Sequence, residues 1–133
     1  MNVSEFQTFE AFGGETFKAR IPIVDTAGNP ANLAGATVTC AIVAPTPTSA
    51  ALVTLTIANS GVVVDTVNST VTIILTPTQT TAIETALDNA GAFKPAGASG
   101  FRTAKCWFQC RVTATDVSDV KHGYIEVIKS LIG

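Results

Sequence analysis

Few side chains in this sequence could do chemistry, and their spacing limits what they could do. There is one histidine, His122, so a histidine-based metal cluster is ruled out. The three cysteines are Cys40, Cys106 and Cys110. Cys106 and Cys110 fall four residues apart on one face of an alternating stretch. On a strand that is about 13 Å, too far for a disulfide. Cys40 could in principle reach one of them across a core, but reduced, buried thiols packing as small apolar groups are expected. Three such cysteines with one histidine give too few well-spaced ligands for zinc. Thiols on a buried face make poor nucleophiles. Asp25, Asp65, Asp88, Asp116 and Asp119 all lie in turn-like stretches, where aspartate is explained by hydrogen bonds to its own backbone. A calcium ion between those loops is left open. No glycine-rich phosphate loop, catalytic carboxylate pair or activated serine motif occurs. The expectation is a protein that is not an enzyme and has no catalytic, cofactor-binding or metal site.

The residues that remain are suited to contact. Ala104 to Val112 alternates strictly: Ala104, Cys106, Phe108, Cys110 and Val112 share one face, and Lys105, Trp107, Gln109 and Arg111 share the other. Such alternation marks a half-buried strand. The polar face carries the only tryptophan, which needs a cover from its own domain or from a partner. Tryptophan and arginine are enriched at binding hot spots. Lys105, Trp107 and Arg111 are therefore interaction candidates. Phe6, Phe9 and Phe12 recur at intervals of three before Gly13-Gly14. They form a stripe on a helical turn or anchors on an extended segment, and they close the domain's own core or dock on a neighbouring subunit. Phe93, in the Gly/Ala/Ser-rich loop from Asn89 to Gly100, is a further candidate.

Composition narrows the class. Of 133 residues, 47% are hydrophobic and 14% charged, against roughly a quarter charged in an ordinary soluble domain. So little surface charge suits a chain packed against others. The net charge of −2, without a basic cluster, excludes a nucleic-acid partner. No apolar run reaches the ~18 residues of a membrane span. The N-terminus lacks the basic start and apolar run of a signal peptide. With an odd cysteine count, folding in a reducing cytosol is expected.

The elements that must position these residues are mostly strands. Alternation predicts strands over 16–24, 35–42, 51–58, 62–64, 70–75, 101–115 and 121–128, with Val53, Leu55 and Ile57 facing in on the third. Pro22 marks an edge or a bulge. Thr76-Pro77-Thr78-Gln79 is a capping box with proline at the first helical position, opening a short helix over about 76–88. Asp116 to Asp119 reads as a hairpin turn. The prediction is an all-β, immunoglobulin-like antiparallel sandwich of about seven strands with one crossing helix. It spans residues 15–128, with an N-terminal arm over 1–14 and a C-terminal tail over 129–133.

The order of several motifs adds a resemblance covering roughly residues 14–128. Gly14-Glu15-Thr16-Phe17 opens the first strand, Asp25-Thr26-Ala27-Gly28-Asn29-Pro30 turns it, and Leu33-Ala34-Gly35-Ala36-Thr37-Val38 starts the second. Later come Leu75-Thr76-Pro77-Thr78-Gln79-Thr80, Trp107-Phe108-Gln109-Cys110-Arg111-Val112-Thr113 and Gly123-Tyr124-Ile125-Glu126-Val127. This series resembles the immunoglobulin-like domains of tailed-bacteriophage virion proteins, in particular the N-terminal domain of the upper baseplate protein family. The loop before the central strand is longer than that family's short connection, and the sequence has one domain without a receptor-binding extension. The resemblance implies a non-enzymatic virion component in the tail, baseplate, neck or capsid decoration, assembled in the bacterial cytoplasm. Its partners would be other virion structural proteins and further copies of itself. Two alternatives stand beside it. One is a host-adhesion module binding a surface glycan through Trp107, Gln109 and Arg111 or through Phe93. The other is a cytosolic assembly factor.

Overall fold

The computed structural model describes residues 6–94, 101–115 and 117–129. Eight strands and one helix follow in the order β1 (Phe6–Phe12), β2 (Phe17–Pro22), β3 (Thr37–Val43), β4 (Ala51–Thr56), β5 (Val62–Asp65), β6 (Thr70–Leu75), α1 (Pro77–Asn89), β7 (Thr103–Ala114) and β8 (Val117–Ile128). They form a five-stranded sheet, β1-β8-β7-β3-β4, facing a three-stranded sheet, β2-β6-β5. The chain is an all-β sandwich.

The alternation that predicts the strands also builds the core. On β2, Phe17, Ala19 and Ile21 are buried while Lys18, Arg20 and Pro22 are exposed. On β7, Ala104, Cys106, Phe108, Cys110 and Val112 point inward. They meet Val62, Val71, Ile73 and Leu75 of the smaller sheet in a single apolar cluster. Each large side chain buried there contributes about 1.5–3 kcal/mol relative to exposure. Pro22 is the last residue of β2, which is an edge strand.

The helix starts as its sequence dictates. Thr76 Oγ1 accepts from the Gln79 backbone N–H at 3.2 Å, and Gln79 Oε1 accepts from the Thr76 N–H at 2.9 Å. Ile83 and Leu87 bury the apolar stripe. Thr80 ties the helix to the β1–β2 connection: its hydroxyl donates to the Glu15 carbonyl at 2.8 Å and accepts from the Gly14 N–H at 3.1 Å. The helix thus closes one end of the sandwich.

Three expectations need correction. Residues 6–12 are a strand of the larger sheet, the extended one of the two readings, and β1 pairs parallel with β8 from Phe6↔His122 to Phe12↔Ile128. Among the described residues the sandwich therefore has eight strands and is not wholly antiparallel. Ile57 lies beyond β4 and is 46% exposed, because the turn begins two residues earlier than the alternation suggests. The stretch expected to turn before the last strand is already paired, with Ala114 opposite Val117 and Val112 opposite Asp119, so β7 and β8 form a long hairpin. Asp116, and most of the loop read as mobile or functional (residues 95–100), lie outside the described residues.

Candidate interaction surface

The outer face of the five-stranded sheet collects most of the candidate residues, because register brings them into cross-strand rows. One row runs Thr8, Tyr124, Trp107, Val43. The next runs Phe6, His122, Gln109, Ala41, and on the other side lies Glu10, Glu126, Lys105. Aromatic rings connect these rows. Phe6 meets His122 at 5.5 Å and Tyr124 at 5.6 Å between ring centroids, and Tyr124 meets Trp107 at 5.7 Å. The Lys105 ammonium sits 4.4 Å from the centre of the Tyr124 ring, a cation–π contact. Beside Trp107 a shallow depression of about 240 Å³ is lined by Phe6, Ala41, Val43, Pro47, Gln109 and His122.

The structure thus unites Phe6, Lys105 and Trp107. Arg111 shares their face, two places beyond Gln109, and is exposed. Phe12 also points outward and is 49% exposed, but it pairs with Ile128 at the far end of β1. Phe9 points the other way and packs on Phe17 at 6.0 Å and Phe108 at 5.7 Å, because an interval of three on a strand reverses the side. Phe93 is only 5% exposed. Its carbonyl accepts from Arg102 at 3.5 Å and Lys129 Nζ lies 5.5 Å from its ring, so it seals the core and is not presented to a partner. Neither Tyr124 nor His122 was a candidate. The His122 ring is half-buried against Phe6. Alternation along β8 puts His122 and Tyr124 on one face; what it cannot reveal is that β1 and β7 flank that strand.

The thiols belong to the opposite face. Cys40 and Cys110 are directly paired across β3 and β7, neighbours within one sheet and not across the core. All three cysteines are free and buried. The hydrogen bond to Cys110, together with burial, pushes the Cys40 thiol up, and burial pushes Cys106 up to about 12. Near neutral pH these two groups are protonated and packed as apolar side chains. Among the described residues, no three His, Cys, Asp or Glu side chains converge as a metal site would require. The Asp25 carboxylate accepts from the Ala27 and Asn29 N–H groups, as its turn position predicts. Among the same residues no helix is long and apolar enough to cross a membrane.

What this face can do chemically is bind. Half-buried and exposed rings stand among Lys105, Gln109, Glu126 and Arg111, a composition suited to a contact surface. No protein-family model matches the chain, and no curated protein shows significant sequence similarity to it.

Proposed function

We propose that this chain is a non-enzymatic structural subunit of a tailed-phage virion, an immunoglobulin-like domain that holds neighbouring subunits in place. One observation carries the reading: Phe6, Trp107 and Tyr124 form a connected aromatic patch on the solvent side of the larger sheet. Ring pairs placed there add about 0.5–1.5 kcal/mol each to the folded domain and stay partly wet, whereas a partner would bury them. The low content of charged residues, 14%, and the motif series resembling the upper baseplate family support the same reading.

The glycan-binding alternative draws less support from the geometry. Sugar rings stack on flat aromatic faces, and the rings here are tilted to one another by 59° to 80°. They form a knobbed surface better matched to side chains of another protein. Quantitative peptide mass spectrometry of purified particles tests the proposal. Hundreds of copies per particle assign the chain to capsid decoration, and a few to a few dozen assign it to a neck, tail or baseplate fitting. Absence from finished particles overturns it and favours the assembly factor. Within particles, Trp107→Ala is expected to lower incorporation while the domain stays folded.

A further inference from the structure

Four strands end the two sheets, and three of these edges are protected. β2 carries Lys18, Arg20 and Pro22, the residue types that block strand addition. β5 has only four residues and ends in Asp65. The edge of β4 is occupied by the chain's own Asn59, whose Oδ1 accepts from the Thr56 N–H at 2.9 Å and whose Nδ2 donates to the Thr54 carbonyl at 2.9 Å. That side-chain amide stands where a neighbouring strand's peptide group would be.

β1 is the least protected of the four: it carries a single charge, Glu10, and its own chain bonds to it at its last residue, where the Phe12 carbonyl accepts from the Glu15 N–H. Its seven residues, FQTFEAF, include no proline, lysine or arginine, and its pairing with β8 runs without a bulge. Among the described residues no strand lies along its outer side. The Gly13 N–H donates to the Ile128 carbonyl, which sets the phase of this parallel ladder. Odd residues direct their peptide groups to β8, while Phe6, Thr8 and Glu10 direct theirs outward, as does the Phe12 N–H; the Phe12 carbonyl also accepts from the Glu15 N–H at 3.2 Å in the turn to β2.

Phe6 and Phe12 stand at equal distances on either side of Phe9. We propose that β1 pairs antiparallel with β1 of a second copy, across a two-fold axis at Phe9. Phe6, 53% exposed, then faces the second copy's Phe12, 49% exposed. Thr8 faces Glu10, Gln7 faces Ala11, and the two Phe9 rings meet on the inner side. Directly opposed aromatic pairs stabilise such a ladder. Moving the axis to Thr8 sets Glu10 against Phe6, and moving it to Glu10 opposes two carboxylates; only the Phe9 axis uses all seven residues. The two sheets become continuous and both Trp107 patches face the same way, giving a bivalent surface. This inference rests on reading the chain as an assembly subunit, yet the two fail separately: particle content tests one and self-association in solution tests the other.

Sedimentation velocity of the full chain over a concentration series is the experiment. A concentration-dependent dimer is expected. Phe6→Lys with Phe12→Lys opposes like charges and should give a monomer, whereas Phe6→Lys with Phe12→Glu opposes unlike charges in this register and should restore the dimer. Far-UV circular dichroism verifies folding, since Phe6 touches Tyr124 and its loss alone would change the near-UV signal. Hydrogen exchange adds a reading free of substitutions: the Thr8 and Glu10 amides should gain protection as concentration rises. A wild-type chain that stays monomeric with those amides unprotected overturns the proposal. A dimer indifferent to the paired lysines overturns it too, and places the contact elsewhere.

Discussion

The two faces of β7 set the same backbone in opposite surroundings. Phe108 points into the core and is 3% exposed; its neighbour Trp107 points outward and is half-buried among Tyr124, Lys105 and the Phe6 depression. Strand period makes the two faces independent, so one can be fixed by folding and the other left for recognition. The inner face holds groups whose removal opens a cavity. Rings on the outer face already touch water, so their removal opens no cavity and costs less stability.

The largest expected effect breaks that comparison if it is wrong. Phe108→Ala should lower stability by about 3–5 kcal/mol, the usual loss for a buried aromatic ring. Trp107→Ala should cost roughly 1 kcal/mol, the scale of an edge-to-face ring pair. Urea unfolding followed by circular dichroism measures both. Comparable losses would mean that Trp107 is a core residue and the outer face is not a recognition surface.

Gly123→Ala comes next and tests where the two faces meet at β1. A Cβ at Gly123 would run into the backbone of Gln7, and backbone cannot swing aside as a side chain can. β1 must then shift from β8, at a cost of about 1–3 kcal/mol. Hydrogen exchange should show lost protection at Gln7, Phe9 and Ala11, whose amides face β8, while β3 and β7 keep theirs. Unchanged exchange there would mean that the close approach of β1 to β8 is absent in solution.

A smaller effect sharpens the comparison through the thiols. With Cys40, Cys106 and Cys110 all on the inner face and Cys106 pushed up to about 12, an alkylating reagent should leave the native protein unmodified near neutral pH. Labelling should appear only with urea, along the same transition as the loss of circular dichroism. Rapid labelling of the native chain would place a cysteine on an accessible surface.

Much of this arrangement is legible in the sequence because it is local. Two-residue alternation places Cys106, Phe108 and Cys110 inward, and the Thr76–Gln79 box sets the helix start. Strand adjacency is not local. Nothing in FQTFEAF says that it lies along β8, so a spacing of three could suit a helix, and it is the extended backbone imposed by that pairing that separates Phe9 from Phe6 and Phe12. For the same reason Tyr124 and His122 escape notice: their ring partners come from strands distant in the chain. Phe93 reads as exposed in its loop, because the backbone bonds that fold that loop inward, Lys94 N–H to Thr103 O and Lys129 N–H to Arg102 O, join segments with no shared pattern.

The smallest effect belongs to a polar group at the surface, the counterpart of the buried thiols. Asp65 ends β5, and its carboxylate accepts from the Asn68 side-chain amide at 2.8 Å and from the Asn68 and Val67 backbone N–H groups at 3.0 and 2.9 Å. Those bonds, the Asn68 side chain foremost, hold its pKa below the ordinary 3.8. The folded state thus favours the charged form. The stabilisation is present above the unfolded value and is lost as pH falls through the lower folded value. Asp65→Asn should therefore narrow the fall in urea midpoint between about pH 5 and about pH 3, a window bracketing the usual carboxylate pKa. The group is solvated, so the difference should be small beside that of Phe108→Ala, and added salt should leave most of it, since hydrogen bonds and not distant charge are its main source. Identical pH dependence in the two proteins would show that this turn does not distinguish carboxylate from amide.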